Sequence, residues 1–375
     1  MAGTNFVITG GGTGGHIFPM TAVADALRSS GVTAGEILFV GSRRGQERTL
    51  LGSRDERLLL LPGRGIRRSF SPIALWNNTG AVVRVCWSIG IALVTTLRIR
   101  PSVIVSVGGY AAFPMVLAGA VLRRPMVFVE LDASMGLVHR LFHRSAQRIC
   151  FGIAPEILPS RGTVTGVPLR PSIESISREF GQRVIAATTL GVDPQRHIVV
   201  VMTGSLGSTT VNNAVSQLAG LWADRQDVAI VHVTGKRDYE NMVLQEPPSS
   251  DLQYLILPFA ESMDDLWTVA DTAICRAGAT TVAELTFLGI PSILVPLPNA
   301  PGDHQTMNAQ SVVEVGGARL LPDDVCSANS LAAAIDDLLR DPLLREQMGS
   351  AAKNMGRPAA AQQIAREVKA VAHYE

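Results

Sequence analysis

Seven residues near the start of the chain, Gly10-Gly11-Gly12-Thr13-Gly14-Gly15-His16, restrict its fold more than any other stretch. They directly follow an apolar, β-prone run, Asn5-Phe6-Val7-Ile8-Thr9, and directly precede an amphipathic stretch, 17–28, that reads as a helix. A strand, a glycine turn and a helix N-terminus together make an anion site, because backbone N–H groups and the helix dipole point outward from such a turn. Glycine permits positive φ and lets a phosphate come close to the backbone. His16 adds an ionisable imidazole where an anionic substrate would lie.

With 375 residues, 47% of them hydrophobic and 17% charged, the chain is long enough for two domains and apolar enough for packed cores. A formal net charge of +1 argues against a broad nucleic-acid surface. The four cysteines, Cys86, Cys150, Cys275 and Cys326, lie far apart without metal-type or redox spacing, and read as buried thiols in a reducing compartment. A strand begins almost at the N-terminus, so no signal peptide is expected ahead of the fold.

Strand-like segments at 6–9, 37–40, 57–61, 103–106, 126–130 and 148–151 are separated by helical patterns, as a parallel sheet with right-handed crossovers requires. A Pro/Gly-rich passage at 163–168 interrupts the alternation, which restarts with strands at 197–202, 228–233, 254–257, 272–275 and 292–295. The same architecture thus occurs twice, and the expected fold is α/β with two doubly wound Rossmann-like domains facing a cleft. Ligands bind such domains at the carboxyl ends of the strands.

The second half has its own glycine loop, Thr203-Gly204-Ser205-Leu206-Gly207-Ser208, running into a helix that begins with Thr209 and Thr210. A further strand-to-helix turn reads Cys275-Arg276-Ala277-Gly278-Ala279-Thr280-Thr281-Val282-Ala283-Glu284. Gly278 and its small neighbours would leave N–H groups for a diphosphate. Glu284, early in the helix, either accepts both hydroxyls of a ribose or stabilises the helix dipole. Downstream, Asp303-His304-Gln305-Thr306-Met307-Asn308 offers polar side chains for sugar hydroxyls, or a helix cap at Asp303. The formal Gly-x-Gly-x-x-Gly of Gly10, Gly12 and Gly15 also fits a nicotinamide enzyme. That reading needs an acidic residue ending the second strand, which instead ends Val40-Gly41-Ser42, with Glu36 at the wrong end.

The apolar run 81–97 raises the question of a membrane span; Arg84 interrupts it, and about 20 apolar residues are needed to cross a bilayer. A buried helix or an interfacial one remains. Just before it stand Arg67, Arg68, Phe70, Ile73, Leu75 and Trp76, basic residues beside aromatic and aliphatic ones, which suit contact with an anionic membrane surface. The region is read as a peripheral contact.

Taken together these segments resemble the MurG family of GT-B glycosyltransferases, whose Gly-Gly-Thr-Gly-Gly-His and Arg-x-Gly-Ala-x-Thr-x-x-Glu stand here at 11–16 and 276–284. Further matches are Gly41-Ser42 with Glu47, Val107-Gly108-Gly109-Tyr110, Gly166-Val167-Pro168-Leu169-Arg170 and His304-Gln305-Thr306-Met307-Asn308-Ala309, covering essentially the whole chain in order. The resemblance implies an inverting transfer of N-acetylglucosamine from its UDP derivative to a lipid-linked muramyl-pentapeptide pyrophosphate, peripherally at the cytoplasmic face of the bacterial plasma membrane, in peptidoglycan synthesis. It implies an acceptor-binding, membrane-associating domain over 1–165, with a C-terminal helix in 357–375 packing back on it, and a UDP-sugar domain over 166–356. Ala279, Thr280, Thr281, Gly278 and Ser205 would meet the donor phosphates with Arg170 close by. Glu284 would bind the ribose, Gln305 and Asn308 the sugar, and Ala260 would lie near the uracil. Thr13, Gly14, Gly15, His16 and Tyr110 would face the acceptor pyrophosphate.

Such a transfer needs a base for the acceptor hydroxyl and positive charge or helix dipoles for the departing diphosphate. No Asp-x-Asp occurs in the sequence, so neither a metal nor another cofactor is expected. His16 is the first candidate for the base, with phosphate binding as its alternative role. Where the family usually has His-Glu-x-Asn, this chain has Val129-Glu130-Leu131-Asp132, which makes Asp132 a second candidate. Where the family has Gly-Gly-Ser-Gln-Gly, it has Thr203-Gly204-Ser205-Leu206-Gly207. Those departures leave open a paralogue acting on another lipid phosphate, such as a phosphoglycolipid antibiotic precursor, beside a UDP-sugar epimerase or a binding module.

Overall fold

The computed structural model describes residues 5–12, 14–62, 72–204, 207–244 and 251–374, the stretch 72–82 by its backbone alone. It divides into two compact units, Met1–Arg170 with Ala359–Glu375, and Pro171–Pro358. The first division falls after Arg170 rather than after residue 165, so the 166–170 passage goes with the first unit.

The first unit is a seven-stranded sheet of β1 (Phe6–Thr9), β2 (Ile37–Ser42), β3 (Arg57–Leu61), β4 (Val103–Ser106), β5 (Met126–Glu130), β6 (Arg148–Phe151) and β7 (Gly162–Val164). All neighbours pair in parallel, in the order β3-β2-β1-β4-β5-β6-β7. The crossovers carry α1 (Gly14–Ser29), α2 (Glu47–Leu51), α3 (Pro72–Ile99), α4 (Phe113–Val121) and α5 (Leu137–Phe142). Strands β1, β4 and β5 are buried along their whole length, which is why they read as unbroken apolar runs without alternation. The edge strands β3 and β7 are partly exposed, and β7, three residues inside a Pro/Gly-rich passage, gave no recognisable pattern. On one face Val7, Val40, Ile104, Met126 and Phe128 pack with Ala92 of α3 and Met115 and Val116 of α4. Each such buried aliphatic or aromatic side chain contributes about 1.5–3 kcal/mol of transfer free energy.

The second unit repeats the plan with β8 (His197–Met202), β9 (Val228–Val233), β10 (Gln253–Leu257), β11 (Thr272–Cys275), β12 (Ser292–Leu294) and β13 (Ala318–Leu320), in the parallel order β10-β9-β8-β11-β12-β13. Its helices are α6 (Pro171–Glu174), α7 (Phe180–Leu190), α8 (Thr209–Leu221), α9 (Tyr239–Val243), α10 (Met263–Val269), α11 (Ala279–Leu288), α12 (His304–Val313), α13 (Ala328–Arg340) and α14 (Pro342–Met355). The last helix, α15 (Ala360–Ala372), returns to the first unit. It buries Ala361, Ile364, Ala365 and Val368 along one stripe against α1 and β4–β6. Tyr374 then packs edge-on against Phe6 at 5.1 Å and donates its hydroxyl to Glu36 at 3.2 Å.

Two expectations are corrected. Only Cys150 and Cys275 are buried thiols, each pushed up to about 12 by that burial. Cys86 is exposed on the outer side of α3, and Cys326 is half-buried. The 81–97 segment belongs to a helix of 28 residues, and it is not a buried one, because Trp87 is 68% exposed. No helix of the described residues is long and apolar enough to cross a membrane.

Candidate active site

In the first unit the strand order reverses between β1 and β4, so the loops that follow these strands flank a crevice at the carboxyl edge of the sheet. Thr9 is in register with Val40 on one side and Ser106 on the other, and therefore the Gly10, Gly41 and Val107 loops leave the sheet side by side. They are packed so closely that side chains are excluded. A Cβ on Gly12 (φ +101°) would lie 2.9 Å from Cε1 of Tyr110. A Cβ on Gly109 (φ +77°) would lie 2.8 Å from the Gly11 carbonyl oxygen and 3.6 Å from Cδ2 of His16. Glycine at both places is thus a steric requirement. It brings His16, in the first turn of α1, against the β4 loop that carries Tyr110. The Tyr110 hydroxyl donates to Ser42 Oγ at 3.3 Å.

One donor of the glycine loop is met from within. Glu47, fully buried at the start of α2, accepts the Gly12 and Ser42 N–H groups on Oε1, both at 2.9 Å. The sequence offered Glu47 only as a motif match; its partners show a carboxylate that shapes the loop. Asp132, half-buried, stands two residues beyond the end of β5. Behind it, Glu130 bonds His139, and His139 bonds Ser106 at the end of β4.

The second unit reverses between β8 and β11, and Cys275 is in register with Met202 and Leu294. Gly278 is the N-cap of α11, so Ala279, Thr280 and Thr281 form the first turn of a ten-residue helix at the carboxyl edge of the sheet. That arrangement presents N–H groups and the positive end of the helix dipole. Glu284 is buried on the next turn and accepts from the Trp267 indole at 2.8 Å. Asn308 of α12 is fully buried and donates to the Ala277 carbonyl at 3.1 Å, holding the β11–α11 turn from behind. Gln305 accepts from the Leu297 N–H at 2.9 Å. Asp303 makes no capping bond to the α12 backbone and instead accepts from the Thr306 hydroxyl at 2.7 Å. Ala260, half-buried, follows Phe259, whose ring lies 5.6 Å from the Lys236 ammonium, beyond the end of β10.

Arg276 had a place in the motif but no role. It pairs with Asp323, donates to the Val295 and Pro296 carbonyls at 3.1 and 2.9 Å, and bonds the hydroxyl of Ser208, the N-cap of α8. It thereby ties the loops after β8, β11 and β12 together. Arg170, expected beside the donor phosphates, is the last residue of the first unit, its guanidinium 4.5 Å above the Phe18 ring on α1. Thr13, Ser205 and Leu206 lie outside the described residues, as do Arg67, Arg68 and Phe70; Trp76 is described only as part of the α3 backbone. Among the described residues no group of three or more His, Cys, Asp or Glu is placed to hold a metal ion.

Comparison with known proteins extends both halves. Residues 6–151 match the glycosyltransferase family 28 N-terminal domain and residues 198–364 the family 28 C-terminal domain. A UDP-N-acetylglucosamine--N-acetylmuramyl-(pentapeptide) pyrophosphoryl-undecaprenol N-acetylglucosamine transferase of Alkalilimnicola ehrlichii is 38% identical over 362 residues, 96% of this chain and 97% of that protein. The transferase of the same description from Desulforudis audaxviator is 34% identical over 367 residues, 96% of each chain. The crystal structure of Acinetobacter baumannii MurG shares the fold with a TM-score of 0.74 at 24% identity, covering 98% of this chain and 99% of that one. Two parallel α/β units, one matching each family domain, and relatives aligned over nearly their full length place this chain among the glycosyltransferases of family 28, as a GT-B enzyme of the MurG group.

Proposed function

We propose that this enzyme transfers N-acetylglucosamine from UDP-N-acetylglucosamine to N-acetylmuramyl-(pentapeptide) pyrophosphoryl-undecaprenol, inverting the anomeric configuration. The observation that carries the reading is the alignment of 96% of the chain with 97% of a relative named for this reaction, so that both units are accounted for.

The labour divides between the units. The first takes the lipid-linked acceptor, its pyrophosphate at the first turn of α1 with Gly14, Gly15 and His16, beside Tyr110. The second takes the donor, with the diphosphate at the first turn of α11 and the ribose at Glu284. The acceptor hydroxyl attacks the anomeric carbon from the face opposite the diphosphate. The bond from that carbon to the phosphate oxygen breaks, and its electron pair leaves with UDP. His16 or Asp132 takes the hydroxyl proton, a role worth about 10²–10⁴-fold in rate. The α11 dipole stabilises the leaving charge without a metal ion.

A lipid acceptor requires the enzyme to work at a bilayer surface. Val83, Trp87, Val94 and Leu97 recur along one exposed stripe of α3, with Arg84 and Arg98 beside them. Helices α4 and α5, which follow α3 in the same layer, expose Val121, Leu137 and Leu141 next to Arg123 and Arg140. This face supports peripheral contact with anionic lipid on the cytoplasmic side. The test of the reading is transfer of label from radiolabelled UDP-N-acetylglucosamine to a short-chain analogue of the lipid-linked muramyl-pentapeptide. Donor binding without transfer would point to a different lipid-phosphate acceptor, and epimerised donor without acceptor would overturn the transferase reading.

A further inference from the structure

Three buried polar side chains in the first unit have no place in the mechanism above. His139 Nε2 lies 2.9 Å from Ser106 Oγ, and His139 Nδ1 lies 2.8 Å from Glu130 Oε2. Ser106 is 0%, His139 1% and Glu130 6% exposed. The Phe128 ring stacks on the imidazole at 4.4 Å, with 12° between the planes. The array has the order of a nucleophile, base and acid, but a hydroxyl with no exposed surface cannot meet a substrate.

Its ends point elsewhere. Ser106 Oγ accepts the Gly108 N–H at 3.4 Å, and Glu130 Oε2 accepts the Gly136 N–H at 2.9 Å. Gly108 opens the loop that carries Gly109 and Tyr110, and residues 131–136, bounded by Glu130 and Gly136, form the loop that carries Asp132. The imidazole therefore spans the two loops, and a Cβ on Gly108 would lie 3.4 Å from His139 Cε1. With the proton on Nδ1, every partner is satisfied. Nδ1–H donates to Glu130, Nε2 accepts the Ser106 hydroxyl, and Ser106 accepts Gly108. A buried polar network of this kind is a costly way to fill space, since apolar residues of equal volume would stabilise the core as well. What it supplies is directional: a fixed spacing between two loops that leave adjacent strands.

We propose that Ser106, His139 and Glu130 form a buried clamp that sets the Gly108–Tyr110 loop against the Asp132 loop, making His139 a positioning residue for the acceptor. The proposal rests on the reading that the first unit takes the acceptor.

The test is steady-state kinetics with donor and acceptor varied separately, on Ser106→Ala, His139→Asn, their double variant and His139→Gln, with thermal melts beside them. An asparagine keeps a donor for Glu130 but does not reach Ser106; a glutamine reaches Ser106 but gives up the bond to Glu130. The clamp predicts that Ser106→Ala and His139→Asn each raise the acceptor KM about tenfold while the donor KM stays within about twofold. The double variant should be no worse than the poorer single, because both cut the same link. His139→Gln, which cuts the Glu130 end instead, should also raise the acceptor KM while the donor KM stays within about twofold. An unchanged acceptor KM in folded Ser106→Ala would overturn the clamp. So would losses shared equally with the donor, or single effects of Ser106→Ala and His139→Asn that multiply. Ser106→Ala deletes one oxygen and remains informative if substitutions at His139 do not fold. His16→Ala and Tyr110→Phe serve as the reference pair. If neither affects acceptor KM or kcat, the acceptor does not bind this unit. If they do and the Ser106 and His139 variants do not, only the clamp fails.

Discussion

Single carboxylates carry much of this enzyme's design, and their partners decide what they do. Glu47 and Glu284 both lie buried beside glycine turns, yet the first bonds the loop N–H groups of Gly12 and Ser42 while the second is held by the Trp267 indole. An indole can only donate, so it holds Glu284 as an acceptor and fixes its rotamer beside the β11–α11 turn. Replacing Glu284 by Ala should weaken UDP-N-acetylglucosamine binding at least tenfold, about 1.4 kcal/mol, by calorimetry. Unchanged affinity would remove Glu284 from the donor site. His16, Gly278 and Glu284 stood out because each lies in a local strand–turn–helix pattern, whereas Tyr110 entered only through the family resemblance. The work of Glu47 and His139 was not legible, since each also bonds a distant partner, Gly12 and Ser106, 35 and 33 residues away, which no local spacing records. Asn308 was legible as a polar residue downstream of the β11–α11 turn, but its full burial and its bond to Ala277 appear only once α12 packs beside α11.

At the scale of elements, the strands that the sequence marked most clearly are those buried on both faces, such as β1, β5 and β9. The two it missed, β7 and β13, are three-residue edge strands flanked by Gly or Pro, too short for either periodicity to register. Helix α3 shows the limit of composition more sharply. Its apolar run suggested a buried helix as readily as an interfacial one, and only packing separates them: Ala92 faces the core while Trp87 faces out. The outer stripe of Val83, Trp87, Val94 and Leu97, with arginines contributing about 1 kcal/mol each near an anionic surface, should carry the enzyme onto membranes. Flotation with anionic liposomes should fall clearly for Trp87→Ser combined with Arg84→Glu, and more at low salt than at high salt. Equal flotation of wild type and variant would refute the α3 contact.

Across the whole molecule, the repetition of one α/β plan was readable from the alternation of segments. The second unit depends on a buried polar network under its first glycine loop. His232 bonds Tyr254 at 2.8 Å and Asn212 at 3.0 Å, and burial pushes its pKa down to about 3. An unfolded histidine titrates near 6.5, so between about pH 6.5 and 3 the unfolded chain binds a proton that the folded chain refuses. Stability therefore rises with pH across that window and is lost on acidification. Replacing His232 by Gln should flatten the dependence of unfolding free energy on pH between about 6.5 and 4 by about 1 kcal/mol per pH unit. Parallel curves for wild type and variant would show that His232 does not titrate on unfolding.

The proposed reaction is a transfer in which the second unit holds the donor and the first supplies the acceptor site and the base. It is tested most directly by running the radiolabelled transfer assay on wild type and His16→Ala side by side, with donor affinity measured in both. Labelled lipid-linked disaccharide is expected from the wild type, with a loss of turnover of about a hundredfold or more in the variant and equal donor affinity. Normal turnover by His16→Ala would remove His16 as the base and leave Asp132, and absence of labelled product from the wild type would contradict the reaction itself.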